Sequence, residues 1–245
     1  MSNSEIRALS RDDLKGHWLK FVLLTLAIIV LTGSPEFIFK GANISFIFDI
    51  ATFVLTVITG VFSVGLYLNL VRNKTFDMSK GIKDFNVYLR YGGFTLLLGI
   101  IVFVVTIIFM GIVVGISTGA FLGAIVYESE VDFLITNMII VVLITTVLLC
   151  LIMLIINSIF LPAEYLIIDG FTLGESLSKS FRLMKGNKWR FLKFQLSFVG
   201  WMLLGILTFG IGLLWVIPYY STASANFFLM VNGEKESNES FIENI

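Results

Sequence analysis

The chain has little with which to build a covalent or metal-centred site. It holds one cysteine (Cys150) and one histidine (His17) in 245 residues. A single cysteine excludes an internal disulfide and a cysteine-rich metal site, and a single histidine excludes a multi-histidine zinc site. No Gly-x-Ser-x-Gly, His-Glu-x-x-His or phosphate-binding loop occurs, and no span holds paired carboxylates. No cofactor is therefore expected, and the sequence reads as non-enzymatic. Charge is scarce too: 14% of residues are charged, against about 25% in ordinary soluble domains. With 57% hydrophobic residues, a soluble globule is a poor description.

The absence of charge is concentrated. Residues 21–35, 50–71, 91–127, 133–163 and 194–233 carry none at all. A hydrocarbon slab of roughly 30 Å is crossed by about 20 apolar helical residues, and buried helices of soluble proteins seldom sustain so long a run. These stretches read as membrane spans. The first follows Arg7, Arg11, Lys15 and Lys20, but no Ala-x-Ala cleavage pattern succeeds it, so an uncleaved helix is expected.

The boundaries follow from local signals. The first span runs from about Trp18 to Thr32, with Gly33, Ser34 and Pro35 ending it, and the second from about Phe46 to Val71. The third extends from Phe94 to about Thr118. The fourth covers Leu134 to Leu161 and stops at Pro162, which cannot continue the hydrogen-bond ladder. The last charge-free run is too long for one crossing, and Thr208-Phe209-Gly210-Ile211-Gly212 divides it. That gives a fifth span at about 191–207 and a sixth at 211–231.

Sixteen of the seventeen Lys and Arg residues then fall on one side of the membrane. The positive-inside rule puts that side, with both termini, in the cytoplasm. The expected architecture is all-α: a polytopic membrane domain over residues 1–231 with six transmembrane helices, and a polar cytoplasmic tail over 232–245. Two amphipathic helices are expected in the inner interface. In 172–190, Leu173, Leu177, Phe181 and Met184 form one stripe, Lys179, Arg182 and Lys185 lie opposite, and Thr172 with Glu175 fits a capping box. The stretch 76–91 is a weaker version. The recurrence of two helices plus an interfacial segment hints at an internal repeat.

Three groups of residues are candidates for function. Gly111, Gly115 and Gly119 share one face of the third span, the spacing that lets helix backbones approach closely in lipid, within the chain or between copies. Asn137 and Asn157 in the fourth span, with Tyr219, Ser221, Thr222, Ser224 and Asn226 in the sixth, would either hydrogen-bond between helices or line a polar cavity. Lys179, Arg182, Lys185 and Lys188 would meet anionic lipid headgroups or a partner. Ionisable residues at mid-bilayer, which ion-coupled transporters require, are missing from the spans.

Two segments also carry a family resemblance. Arg7 to Trp18 (RALSRDDLKGHW) and Glu175 to Phe228, with Met184-Lys185-Gly186, Ser197-Phe198-Val199-Gly200-Trp201, Gly210-Ile211-Gly212 and Pro218-Tyr219, resemble the domain-of-unknown-function 975 family of bacterial integral membrane proteins. The resemblance implies a multispan protein of the bacterial cytoplasmic membrane and supplies no catalytic residues. The function expected is a lipid- or partner-binding accessory of an export or envelope system, its partners being anionic lipids, another membrane protein or a second copy, and not nucleic acid. The alternative is a small permease with a polar path along the fourth and sixth spans.

Overall fold

The computed structural model describes residues 1–38, 45–126 and 131–234. Among them are eight α-helices and a 3-10 turn, and no strand. The helices are α1 (Asn3–Asp13), α2 (Trp18–Ile38), α3 (Ser45–Asn73), α4 (Phe85–Val126), α5 (Val131–Ile168), α6 (Leu173–Met184), α7 (Lys188–Leu207) and α8 (Leu213–Val231). Four of these, α3, α4, α5 and α7, are long and apolar enough to cross a membrane. A fifth crossing is reached if α1 and α2, bent by 93°, count as one broken span.

The boundaries depart from the sequence reading in informative places. α2 continues past Gly33, Ser34 and Pro35 to Ile38. α5 passes through Pro162 and ends at Ile168. Proline removes one ladder bond, but Leu161, Ala163, Tyr165, Leu166, Ile167 and Ile168 are all buried, and that packing carries the helix onward. The stretch 76–91 is not an interfacial helix. Asp77 caps a 3-10 turn (Met78–Gly81), and α4 begins at Phe85. The turn lies flat on α3: a Cβ at Gly65 would stand 2.9 Å from the Lys80 carbonyl. The 208–212 turn is where glycine spacing put it, with Gly210 at φ +84° and Phe209 left-handed as well.

The chain forms two compact units, residues 95–157 and the remainder. The 95–157 unit consists of the later part of α4 and the earlier part of α5. The most apolar stretches of those helices bury no residue inside the protein. α4 has 42 residues, about 63 Å of helix, and its first ten belong to the larger unit.

The larger unit is built around α8, against which α1, α2, α3 and α7 all pack. The continuous run from Thr222 to Leu229 is buried. Aromatic rings make most of this core. Phe191, Phe194 and Phe198 on α7 meet Phe227, Tyr219 and Tyr220 on α8 at centroid distances of 4.6 to 6.5 Å. Tyr165 stacks on Phe228 at 4.9 Å, and Phe21 on Tyr67 at 4.8 Å. In hydrocarbon the lipid tails are as apolar as the side chains, so close ring packing and hydrogen bonds hold such helices together.

A repeat appears that differs from the one the sequence suggested. α1 and α6 each open with a complete capping box, Ser2 with Glu5 and Thr172 with Glu175. Each buries one stripe: Ile6, Ser10 and Leu14 at and just past α1, and Ser176, Ser180 and Met184 on α6. Each then turns at a left-handed glycine, Gly16 or Gly186, and enters a span that begins with a tryptophan close by. The caps, buried stripes and glycines are 170 residues apart in the sequence, and the tryptophans, Trp18 and Trp189, 171.

Candidate functional site

The five candidates on α8 are brought together, and their partners are protein. Asn226, 1% exposed, donates from Nδ2 to Ser10 Oγ at 2.9 Å and to Asp13 Oδ2 at 2.8 Å. Thr222 donates to the Pro218 carbonyl at 2.8 Å, one turn back along its own helix. Tyr219 donates to the Arg7 carbonyl at 3.3 Å and accepts from Arg11 at 3.1 Å. Ser221 lies against the Tyr67 hydroxyl, and Ser224 is buried beside that of Tyr220. A buried polar group without a partner is costly, and α1 is what supplies the partners here. Asn226 and Tyr219 therefore form the seat of the N-terminal helix, while Thr222 bonds within α8 and Ser224 Oγ is buried without a hydrogen-bond partner among the described residues.

Asn137 and Asn157 stand apart from each other. Both are on α5, twenty residues or about 30 Å of helix apart, so one small cavity cannot hold the two. Asn157 is exposed and Asn137 half-buried.

Gly111, Gly115 and Gly119 are exposed on α4, and among the described residues a Cβ at any of them meets no atom within 4 Å. The close approaches occur at other glycines. A Cβ at Gly60 would lie 2.7 Å from the Tyr91 ring, and one at Gly212 would lie 2.9 Å from the Gly205 Cα.

The charged end of the larger unit was not foreseen in its detail. Arg72, at the end of α3, makes two-pronged contacts with Asp169 (2.7 and 2.8 Å) and with Glu234 (both 2.9 Å). Asp169 follows α5 and Glu234 follows α8, so one guanidinium ties three helix ends. A planar fork of donors suits two carboxylates in this way. Burial alone would raise the Glu234 carboxyl, but its bonds from Arg72 and Asn232 hold it below the ordinary range. Lys74, left-handed at φ +57°, pairs with the buried Asp13 carboxylate. Arg90 donates to the Gly170 carbonyl at 2.6 Å, Asn3 to the Arg190 carbonyl at 3.2 Å, and Arg190 to the Met1 carbonyl. The N-terminus, the 72–93 connector, the 163–193 connector and the start of the tail are thus mutually bonded. The signal for this lay in the sequence as the charges at span ends, but pairing could not be read from spacing.

α6 has the capping box expected of it, and Thr172 bonds hold the Glu175 carboxyl below its ordinary range. Its buried residues are Ser176, Ser180 and Met184: of the expected apolar stripe Met184 is buried, and Leu173 and Leu177 are half-buried. Ser180 Oγ donates to the Ile159 carbonyl at 2.7 Å, which demands a short side chain there. Phe181, from the expected apolar stripe, is 47% exposed. Lys179 lies over the Phe171 ring at 4.6 Å, while Arg182, Lys185 and Lys188 are exposed. None of the four makes an ion pair among the described residues.

A second polar link, also unforeseen, joins three helices below the aromatic core. Ser158 on α5 donates to Gln195 on α7 at 2.8 Å, and Gln195 donates to Tyr220 on α8 at 3.2 Å. A lone amide in a charge-free run was its only sequence signal. Glu164 stands near Tyr91, Tyr165 and Tyr220. Among the described residues no group of three or more His, Cys, Asp or Glu side chains converges as metal ligands would.

A family model described as "Protein of unknown function (DUF975)" matches residues 1–235. No curated protein and no solved structure matches the chain.

Proposed function

We propose that this chain, which belongs to the DUF975 family, is a non-enzymatic component of the bacterial cytoplasmic membrane that engages anionic lipid headgroups at its inner face. The contacts are Lys179, Arg182, Lys185 and Lys188, on α6 and the turn that follows it. In this reading α2, α3, α4, α5, α7 and α8 make six crossings and both termini are cytoplasmic. A mutually bonded set of three basic segments and the start of the tail supports it, because a hydrocarbon layer of about 30 Å cannot separate groups that hydrogen-bond.

One observation carries the headgroup assignment. Arg72 and Lys74 are matched to carboxylates, whereas these four cations, on α6 and the turn after it, make no ion pair among the described residues. Each basic residue near an anionic surface contributes about 1 kcal/mol. The commitment of Tyr219, Thr222 and Asn226 to protein partners favours this reading over a polar transport path.

The test is spin-labelled lipid association in reconstituted membranes. Phosphatidylglycerol should be retained at the protein surface more than phosphatidylcholine, and the preference should fall with salt, whose screening length is about 10 Å at 0.1 M. Changing Lys179, Arg182, Lys185 and Lys188 to Gln should remove most of it. A salt-insensitive preference, or one untouched by the four changes, would reject the assignment.

A further inference from the structure

Three of the four tryptophans converge on one groove of the larger unit, to whose lining α6 contributes no residue. The groove has a volume of about 460 Å³, within the range of pockets that hold small amphiphiles. Trp18 at the start of α2, Trp201 and Leu204 on α7, and Trp215 and Tyr219 on α8 form its walls. Its floor is the close crossing of Gly205 and Gly212, where no side chain fits between the backbones. The rings are not consumed by packing: Trp201 and Trp215 are each about half exposed.

The lining has one charged group, Arg11. Its guanidinium donates to the Tyr219 hydroxyl at 3.1 Å and, among the described residues, has no carboxylate within ion-pair distance. Tyr219 is twelve residues from Val231, about 18 Å along α8 from the end where Arg72 holds Glu234. Arg11 is exposed, so an anion can reach the part of its guanidinium that Tyr219 does not occupy.

The geometry points to an anionic phospholipid held in this groove, its phosphate on Arg11 and one acyl chain laid across Trp18, Trp201 and Trp215. The two halves of the lining suit the two halves of such a molecule. Arg supplies a fork of donors for a phosphate, and the indoles supply apolar walls broad enough for a chain. This site is separate from the basic face of α6 and stands or falls without it.

Tryptophan quenching tests it directly. Trp189, which does not line the groove, is replaced in a Trp189→Phe background, so that every remaining indole reports on the groove. The full chain is reconstituted with brominated phosphatidylglycerol or brominated phosphatidylcholine diluted into unbrominated phosphatidylcholine. A charge-assisted phosphate contact should place half-maximal quenching by the anionic lipid at about a tenfold lower mole fraction. Arg11→Gln should bring the two lipids level, while Arg11→Lys should keep part of the difference. Changing the four α6 cations to Gln should leave the difference intact, which separates this site from the proposed headgroup face. Equal quenching by the two lipids in the parent, or a preference unchanged in Arg11→Gln, would overturn the proposal.

Discussion

Asn226 of α8 reaches the buried carboxylate of Asp13 on α1 at 2.8 Å, and the same amide holds Ser10. One side chain thereby fixes the N-terminal helix to the most buried helix of the protein. Lys74 meets the other oxygen of Asp13, so the carboxylate is matched from two elements.

Asn226→Leu should release α1. It removes one of the two partners of the buried Asp13 carboxylate and the amide that meets Ser10, which costs about 1–3 kcal/mol. The expected result is a lower thermal midpoint in detergent, together with faster cleavage of the N-terminal segment by added protease. Asn226→Asp should be worse, since it sets two carboxylates side by side.

The glycines divide into two classes with opposite expectations. Gly60→Ala drives a methyl into the Tyr91 ring at 2.7 Å and should destabilise by about 1–3 kcal/mol, an overpacking cost. Gly111→Ala enters open space and should leave the midpoint unchanged or slightly raised, because alanine is the better helix former by about 1 kcal/mol. Thermal unfolding of both variants side by side checks the pair.

The three-way tie at Arg72 should be pH-dependent in one direction. Glu234 has its folded value below the ordinary 4.5, so its contribution is complete above that value and fades as pH falls through the lowered one. The thermal midpoint should therefore hold level from pH 7 to 5 on this account and drop below 4.5. Glu234→Gln should start lower and lose this part of the drop. The group is partly exposed, so the effect should be modest and weaker in high salt.

Much of this organisation is written in the chain because two rules act locally. Charge-free length marks spans, and a capping box marks a helix start, so α6, α7 and the 208–212 turn stand where they were expected. The same capping signal stands at Ser2 and Glu5, at the start of α1. Pro162 misled because tertiary burial outweighs one missing ladder bond. The α6 stripe misled in part, at Phe181, for a related reason. Amphipathic periodicity finds the apolar face, whereas close packing against the Ile159 carbonyl buries Ser180. The groove was out of reach altogether, since Arg11, Trp18, Trp201 and Trp215 converge only after three turns have been made.

The central claim is that the three basic segments and the tail share the cytoplasmic side. It is tested most directly by cysteine labelling in intact cells with a membrane-impermeant maleimide. In a Cys150→Ser background, Ser178→Cys on the exposed face of α6 should react only after the membrane is permeabilised, and Ser129→Cys, between the third and fourth expected spans, should react at once. Labelling of Ser178→Cys from outside unbroken cells would contradict the account.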